Sequence, residues 1–356
     1  MITLYSYSLP FTSPFQAAGR NWEKREGVIL RYQHQQVDIA AEAAPLPGFS
    51  RESKAETEAY LEQNSGEIDF FLESLKSFKE LQEKILVMKP PSSAAFAISC
   101  LGFQLLEQRD PANAVKPDEQ SVEVNALIGL VPEEQLLSMV HHRFGEGYRA
   151  FKIKADSEPL HLVPLLKRLA GELPEIRFRL DANRSWTYET ACRFAEQVSE
   201  LPIDYIEEPF ADAKLEKLSA FKQQYSIQVA LDESLESPET FREALDKHIV
   251  DVLILKPTLF GDLPQLIRLF DRKAERTPKV VVTSTLESAV GRSAVIRLAG
   301  IVGSDSLAHG LDTVRMFTED LIAEQSASAH LEPERFSWAP DFEKCNTRLL
   351  NEKSSS

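Results

Sequence analysis

Five charged stations recur along the middle of the chain, and their spacing limits the folds open to it. Lys-Ile-Lys stands at 152–154, Leu-Asp-Ala-Asn at 180–183, Ile-Glu-Glu-Pro at 206–209, Leu-Asp-Glu-Ser at 231–234 and Leu-Lys-Pro-Thr at 255–258. Each follows a short apolar run. Lys154, Asp181, Glu207, Asp232 and Lys256 are separated by 27, 26, 25 and 24 residues. A strand, a loop, a helix and a return loop consume about that length in a parallel α/β unit. The spacing therefore puts a charged residue at the same end of five successive strands. In a closed (β/α) barrel those ends share one rim, where the five side chains would converge.

The 356 residues suffice for such a barrel and a smaller unit beside it. Residues 27–32 and 37–42 read as strands joined by a polar turn at 33–36, followed by a turn-rich loop at 45–50. Residues 54–87 read as one charged helical stretch, stopped by Pro90 and Pro91. Ser92 or Ser93 is the expected cap of the next helix, whose apolar run 94–106 belongs between layers. Segment 109–121 reads as the boundary. Barrel strands are expected at 124–130, 148–153, 176–180, 204–206, 227–231, 250–255 and 280–283, with a short eighth at 307–309. Helices are expected at 133–144, from 187, and at 289–301. The predicted architecture is a modified (β/α)8 TIM barrel at 122–313 and an α+β unit at 1–121. Residues 314–356 are expected to return to that unit, with 351–356 frayed.

Three carboxylates on consecutive strand ends repel one another unless a divalent cation lies between them or their pKa values shift. Oxygen-only ligands suit a hard ion such as Mg²⁺. A single Asp after a strand is equally well explained as a helix cap; three in this register, flanked by lysines, are not. In Ile-Glu-Glu-Pro only one glutamate can face the barrel mouth. Glu207 is taken as the ligand and Glu208 as its outer partner, a phase that spacing alone leaves open. Lys152 and Lys154, two apart on a strand, point to one side, and Lys256 comes from four strands further on. An ammonium near a metal and a second cation is disfavoured, which poises a lysine as a base.

A net charge of −15 argues against a nucleic-acid partner. Cys100, Cys192 and Cys345 are far apart and in no metal-ligand spacing, which fits a reducing cytoplasmic setting. No long apolar run indicates a membrane span or signal segment. His141 and His142 lie on a helix away from the strand ends and are expected to be solvated. Phosphate-binding glycine loops and a Gly-x-Ser-x-Gly elbow are missing from the sequence.

The order Lys-x-Lys, Asp-x-Asn, Glu-Glu-Pro, Asp-Glu-Ser and Lys-Pro resembles the enolase superfamily, in its muconate-lactonising branch. Within that branch the motifs at 44–50, 255–261, 284–288 and 310–313 are similar to those of the o-succinylbenzoate synthases of menaquinone biosynthesis. The resemblance implies a (β/α)7β barrel whose mouth is capped by the first unit through loops at 15–20 and 47–50. It implies Mg²⁺, with Mn²⁺ as a substitute, on Asp181, Glu207 and Asp232. The implied substrate is a small carboxylate, 2-succinyl-6-hydroxy-2,4-cyclohexadiene-1-carboxylate. Lys154 would take the proton beside its carboxylate and return it to the departing hydroxyl. Lys256 would stabilise the ene-diolate from the other face, and Lys152 would touch the carboxylate. Asn183, Ser284, Gly310, Arg20 and Phe49 would line the substrate, with Glu208 and Glu233 behind the ligands.

N-acylamino acid racemases and dipeptide epimerases share this lysine pair. A dipeptide calls for paired acids after strand eight, where this chain has Asp312-Thr313. Muconate cycloisomerisation fits the motifs at 284–288 and 310–313 less well. A non-catalytic metal-binding scaffold leaves the inward lysines unexplained.

Overall fold

The structure, a computed structural model, describes residues 1–17, 20–117, 120–211, 215–235, 250–270, 278–323 and 327–353. Strands β1 (Ile2–Ala17), β2 (Arg20–His34) and β3 (Val37–Ala43) form an antiparallel sheet with β13 (Leu350–Glu352), in the order β13-β1-β2-β3. The expected hairpin is β2–β3. Strand β1 did not emerge from the sequence, although Tyr5, Tyr7, Leu9 and Phe11 alternate along it and bury one face. Residues 351 and 352, expected to fray, pair with Ser6 and Tyr5 instead.

The stretch 54–87 is two helices, α1 (Lys54–Ser74) and α2 (Phe78–Met88), and not one. Ser53 and Glu56 form a capping box at the start of α1, and Ser77 accepts the Glu80 N–H at the start of α2. Arg109 donates to the carbonyls of Leu72, Glu73 and Leu75, which satisfies the end of α1 and stabilises the break. Helix α3 (Ser92–Arg109) has no serine cap. Pro91 takes the capping position, and the Glu52 carboxylate accepts the Ser93 N–H at 2.9 Å. As expected, α3 is buried from Ser93 through Leu106 except for Gln104.

The parallel sheet follows. Its strands are β5 (Ala126–Ile128), β6 (Ala150–Lys154), β7 (Arg177–Asp181), β8 (Ile203–Glu207), β9 (Val229–Leu231), β10 (Val252–Leu255) and β11 (Lys279–Val282), in sequential order. Helices α4 (Glu133–Gly145), α5 (Leu162–Glu172), α6 (Tyr188–Val198) and α7 (Leu215–Tyr225) follow successive strands from β5 to β8. After β10 come α8 (Pro257–Phe260) and α9 (Leu263–Leu269), and after β11 comes α10 (Ala289–Val302).

The expected first strand is shorter than 124–130. The preceding β4 (Val122–Glu123) pairs instead with β12 (His330–Leu331). The expected eighth strand at 307–309 is two isolated parallel bridges, Val124 to His309 and Thr283 to Gly310. They close the ring between β5 and β11, with Asn125 N–H on the His309 carbonyl at 3.0 Å and Gly310 N–H on that of Val282 at 2.9 Å. A Cβ at Gly310 would lie 2.7 Å from Thr283 Oγ1, so glycine permits this approach. Arg179, buried inside the barrel, donates to Asn125 Oδ1 at 3.2 Å and to the Ala308 carbonyl at 2.5 Å, bracing the same seam.

The two units are joined tightly. One face of the antiparallel sheet packs on α1–α3, and the other packs on Leu286, Ala289, Val290 and the C-terminal return, including Phe317 and Phe342. Gly261, after α8, has φ +89°, and a Cβ there would meet the Ser92 carbonyl at 2.7 Å. Glycine thus lets α3 rest on the turn that follows Lys256.

Candidate active site

Strand alternation builds the site. Ile153, Leu180, Ile206, Leu231 and Leu255 face outward into the large apolar core. Tyr205, Ala230, Val252, Ile254, Val281 and Leu307 form a separate cluster inside the barrel. Two residues beyond this inner layer stand Glu207, Asp232 and Lys256. Lys154 lies opposite Asp181, and Asp181 opposite Glu207, in register. One layer lower, Lys152 lies opposite Arg179.

This parity settles the Glu-Glu phase. Glu207 follows Tyr205 into the barrel, is fully buried, and accepts from Lys152 Nζ at 2.8 Å. Glu208 turns behind it with φ +44°. There its carboxylate accepts the backbone N–H groups of Asp232 (2.9 Å) and Ser234 (2.7 Å), the Ser234 hydroxyl, and Arg184 Nε. Glu208 therefore fixes the loop that carries Asp232. Glu233, expected behind the ligands, faces the cavity and accepts from Asn183 Nδ2 at 2.7 Å.

The lysines and carboxylates balance one another. Lys152 Nζ lies 3.0 Å from Asp181 and 2.8 Å from Glu207, and Lys256 Nζ lies 2.6 Å from Asp232. Burial pulls both ammonium pKa values down, but the adjacent carboxylates outweigh it and hold both above the ordinary lysine value. Burial and Asp181 push Glu207 well up. Asp232, although buried too, is held down by Lys256 and Lys152. Among the described residues no salt bridge holds Lys154, which lines the cavity half-buried.

The donor set fits a hard divalent ion. It is all oxygen, and Glu207 Oε2 is buried without a hydrogen-bond partner. Among the described residues no three acidic, histidine or cysteine side chains already stand in cation-holding geometry. Lys152 and Lys256 engage their oxygens instead.

A cavity of about 110 Å³ brings together Lys152, Lys154, Asp181, Asp232, Lys256, Asn183, Ser284, Gly310 and Phe49. The Phe49 ring lies 5.0 Å from Lys256 Nζ, a cation–π contact. Arg20 opens β2, but its side chain and those of residues 15–19 lie outside the described residues. A larger cavity, about 540 Å³ between α10 and the C-terminal return, contains none of these groups. His141 is exposed on α4 and meets Glu172 at 3.1 Å, away from the site. Asp312, at the cavity edge, lies 3.5 Å from Arg315 Nε.

Two buried glutamates outside the expected ligand set tie neighbouring elements together. Glu287 accepts from Thr258 Oγ1 (2.6 Å), Ser284 Oγ (2.5 Å) and the Thr285 N–H (2.8 Å), tying the loop after Lys256 to the loop after β11. Glu42, on β3, accepts from Tyr7, from Ser288 through both N–H and hydroxyl, and from the Gly291 N–H. The signal for Glu287 was its place among hydroxyl residues at 284–288. Glu42 gave none beyond a charge within an apolar strand.

Comparison with known proteins agrees with this geometry. Residues 135–330 match the enolase C-terminal domain-like family, and residues 1–105 match the MenC N-terminal domain. The o-succinylbenzoate synthase of Pectobacterium atrosepticum is 30% identical over 332 residues, covering 92% of this chain and 94% of that protein. That of Vibrio cholerae is 30% identical over 327 residues, covering 90% and 91%. A solved enolase-superfamily member from Listeria innocua superposes with a TM-score of 0.82 at 19% identity, covering 99% of this chain and 96% of its own. By its barrel, its matched domains and these relatives, the chain belongs to the o-succinylbenzoate synthase family of the enolase superfamily.

Proposed function

We propose that this chain is a hydro-lyase that converts 2-succinyl-6-hydroxy-2,4-cyclohexadiene-1-carboxylate into 2-succinylbenzoate. One observation carries the chemistry: two lysines on strands four apart, Lys154 and Lys256, line one cavity with a buried carboxylate cluster. Kinship to o-succinylbenzoate synthases over nearly the whole chain supports the substrate.

Asp181, Glu207 and Asp232 would hold Mg²⁺, with Mn²⁺ as a substitute; the ion supplies Lewis-acid stabilisation of negative charge on the substrate carboxylate. Lys152, at the base of the cluster, adds a fixed positive charge beneath that carboxylate. Lys154 takes the proton from the carbon beside the carboxylate, and the electron pair moves into an ene-diolate. Lys256 stabilises that charge from the opposite face as a preorganised ammonium. The ring C–O bond then breaks, and Lys154 returns its proton to the departing hydroxide on the same face. Water leaves and the ring becomes aromatic, so no external oxidant or reductant is needed. Phe49, over Lys256, keeps bulk water from the cation.

The test is loss of the diene absorbance with Mg²⁺, in wild type and Lys154→Ala. A general base contributes about 10²–10⁴-fold, so Lys154→Ala should fall by that factor while its thermal unfolding is unchanged. Wild type that leaves the diene intact, yet exchanges the α-proton of N-acylamino acids in deuterated water, would make the chain a racemase.

A further inference from the structure

We infer that Arg25, which lies behind the cavity wall, is a positioning residue. Its guanidinium holds Leu286 of the barrel and Leu46 of the capping unit together as the apolar wall of the active site. The substrate served is that of the synthase reading, on which this role rests. Leu286 lines the cavity of Lys154 and Lys256, and it also packs in the seam cluster with Leu46, Tyr7 and Ile29. Its φ is +60°. A bulky side chain seldom enters that left-handed region, and it stays there only where neighbouring contacts over-determine the backbone.

Two contacts do so here. The Leu286 N–H donates to Ser284 Oγ at 3.1 Å, and its carbonyl accepts from Arg25 Nε at 2.9 Å. On either side, the N–H groups of Thr285 and Ser288 are held by Glu287 and Glu42. Turning the peptide after Leu286 to relieve its φ would swing the carbonyl away from Arg25.

Arg25 comes from β2, opposite Leu9, and is 2% exposed. The rest of its fork reaches the chain leaving β3. Nη1 donates to the carbonyls of Pro45 at 2.7 Å and Glu26 at 3.0 Å, and Nη2 donates to that of Ala44. Leu46, the next residue, also lines the cavity. Among the described residues Arg25 forms no salt bridge, and its hydrogen bonds all go to main-chain carbonyls. A lysine cannot replace it, because an ammonium presents three donors at one point and a guanidinium five in a planar fork. One rigid connector therefore sets the backbone on both sides of the seam, and with it the surface on which the apolar part of the substrate packs.

The test is a double-mutant cycle on dehydration of the diene with Mg²⁺, using wild type, Arg25→Lys, Leu286→Ala and the double variant. Loss of one apolar wall contact corresponds to about 10-fold in affinity. Arg25→Lys should raise KM by about that factor and leave kcat within about twofold, since binding lost equally from ground and transition states appears in KM. Leu286→Ala should do the same, and adding Arg25→Lys to it should change KM little, because the two residues act as a unit. Should Arg25→Lys fail to fold, it should fold in a Leu286→Gly background, where glycine accepts the left-handed conformation that Arg25 enforces. Additive effects on KM, a fall in kcat at unchanged KM, or failure to fold in both backgrounds overturns the inference. If wild type leaves the diene intact yet exchanges N-acylamino acids, the synthase reading fails, and the same cycle on that exchange decides the role of Arg25.

Discussion

Glu42 and Glu207 are both buried glutamates, and burial raises the carboxyl pKa of each. Their surroundings differ. Glu42 sits where the antiparallel sheet meets α10, and four donors from Tyr7, Ser288 and Gly291 surround it. Glu207 has Lys152 as its donor and one oxygen with no hydrogen-bond partner. A completed polar network rigidifies a structure, while an incomplete one carries a standing penalty. The seam network holds two units together. The rim network keeps acceptor capacity in reserve, which suits the proposed cation site.

Glu42→Gln should break the stronger side of this comparison. An amide must turn an NH₂ toward groups that already donate, and loss of a buried partner of this kind costs about 3 kcal/mol. Urea unfolding of the purified variant should show that loss, and an unchanged midpoint would mean the seam does not depend on Glu42. The gap should also vary with pH. The folded pKa of Glu42 is raised, so its stabilising contribution is complete below the unfolded value of about 4.3. It is lost as pH rises through the folded value, and the difference between wild type and Glu42→Gln should narrow in that direction.

Next in size is the effect of the cation. Mg²⁺ at a hundredfold its dissociation constant should stabilise the wild type by about 2.7 kcal/mol, seen as a higher melting temperature. Glu207→Gln should lose that shift. An equal shift in both proteins would place the cation elsewhere. The smallest effect concerns Glu287, whose carboxylate keeps other donors when one is removed. Thr258→Val should cost about 1 kcal/mol in the same unfolding assay and leave the fold intact. A loss as large as that of Glu42→Gln would mean the loop after Lys256 hangs on this one hydroxyl.

The stations at 152–154, 180–183, 206–209, 231–234 and 255–258 were legible because a charged residue at a strand end leaves a period in the sequence. Local alternation was legible too, but the choice between Glu207 and Glu208 stayed open until the structure placed Tyr205 on the inner face. What escaped depends on distant partners. Strand β1 is interrupted by serines and prolines, and it becomes a strand by lying between β2 and β13. The break at 75–77 is stabilised by Arg109 from another helix. The eighth station closes through two bridges and the side chain of Arg179, too little backbone pairing to leave a pattern.

Strand β1 also sets an order of events. Its partner β2 follows at once, but β13, which covers its other edge, lies more than 300 residues further along the chain. At roughly 5–20 residues per second of synthesis, that edge waits on the order of tens of seconds for its natural neighbour. An uncovered edge is a template for pairing with other chains. Ser8, Pro10, Ser13 and Pro14 punctuate the strand, and the prolines remove donors that such pairing would use. The irregular composition that hid β1 from a sequence reading thus also guards the nascent chain against its own copies.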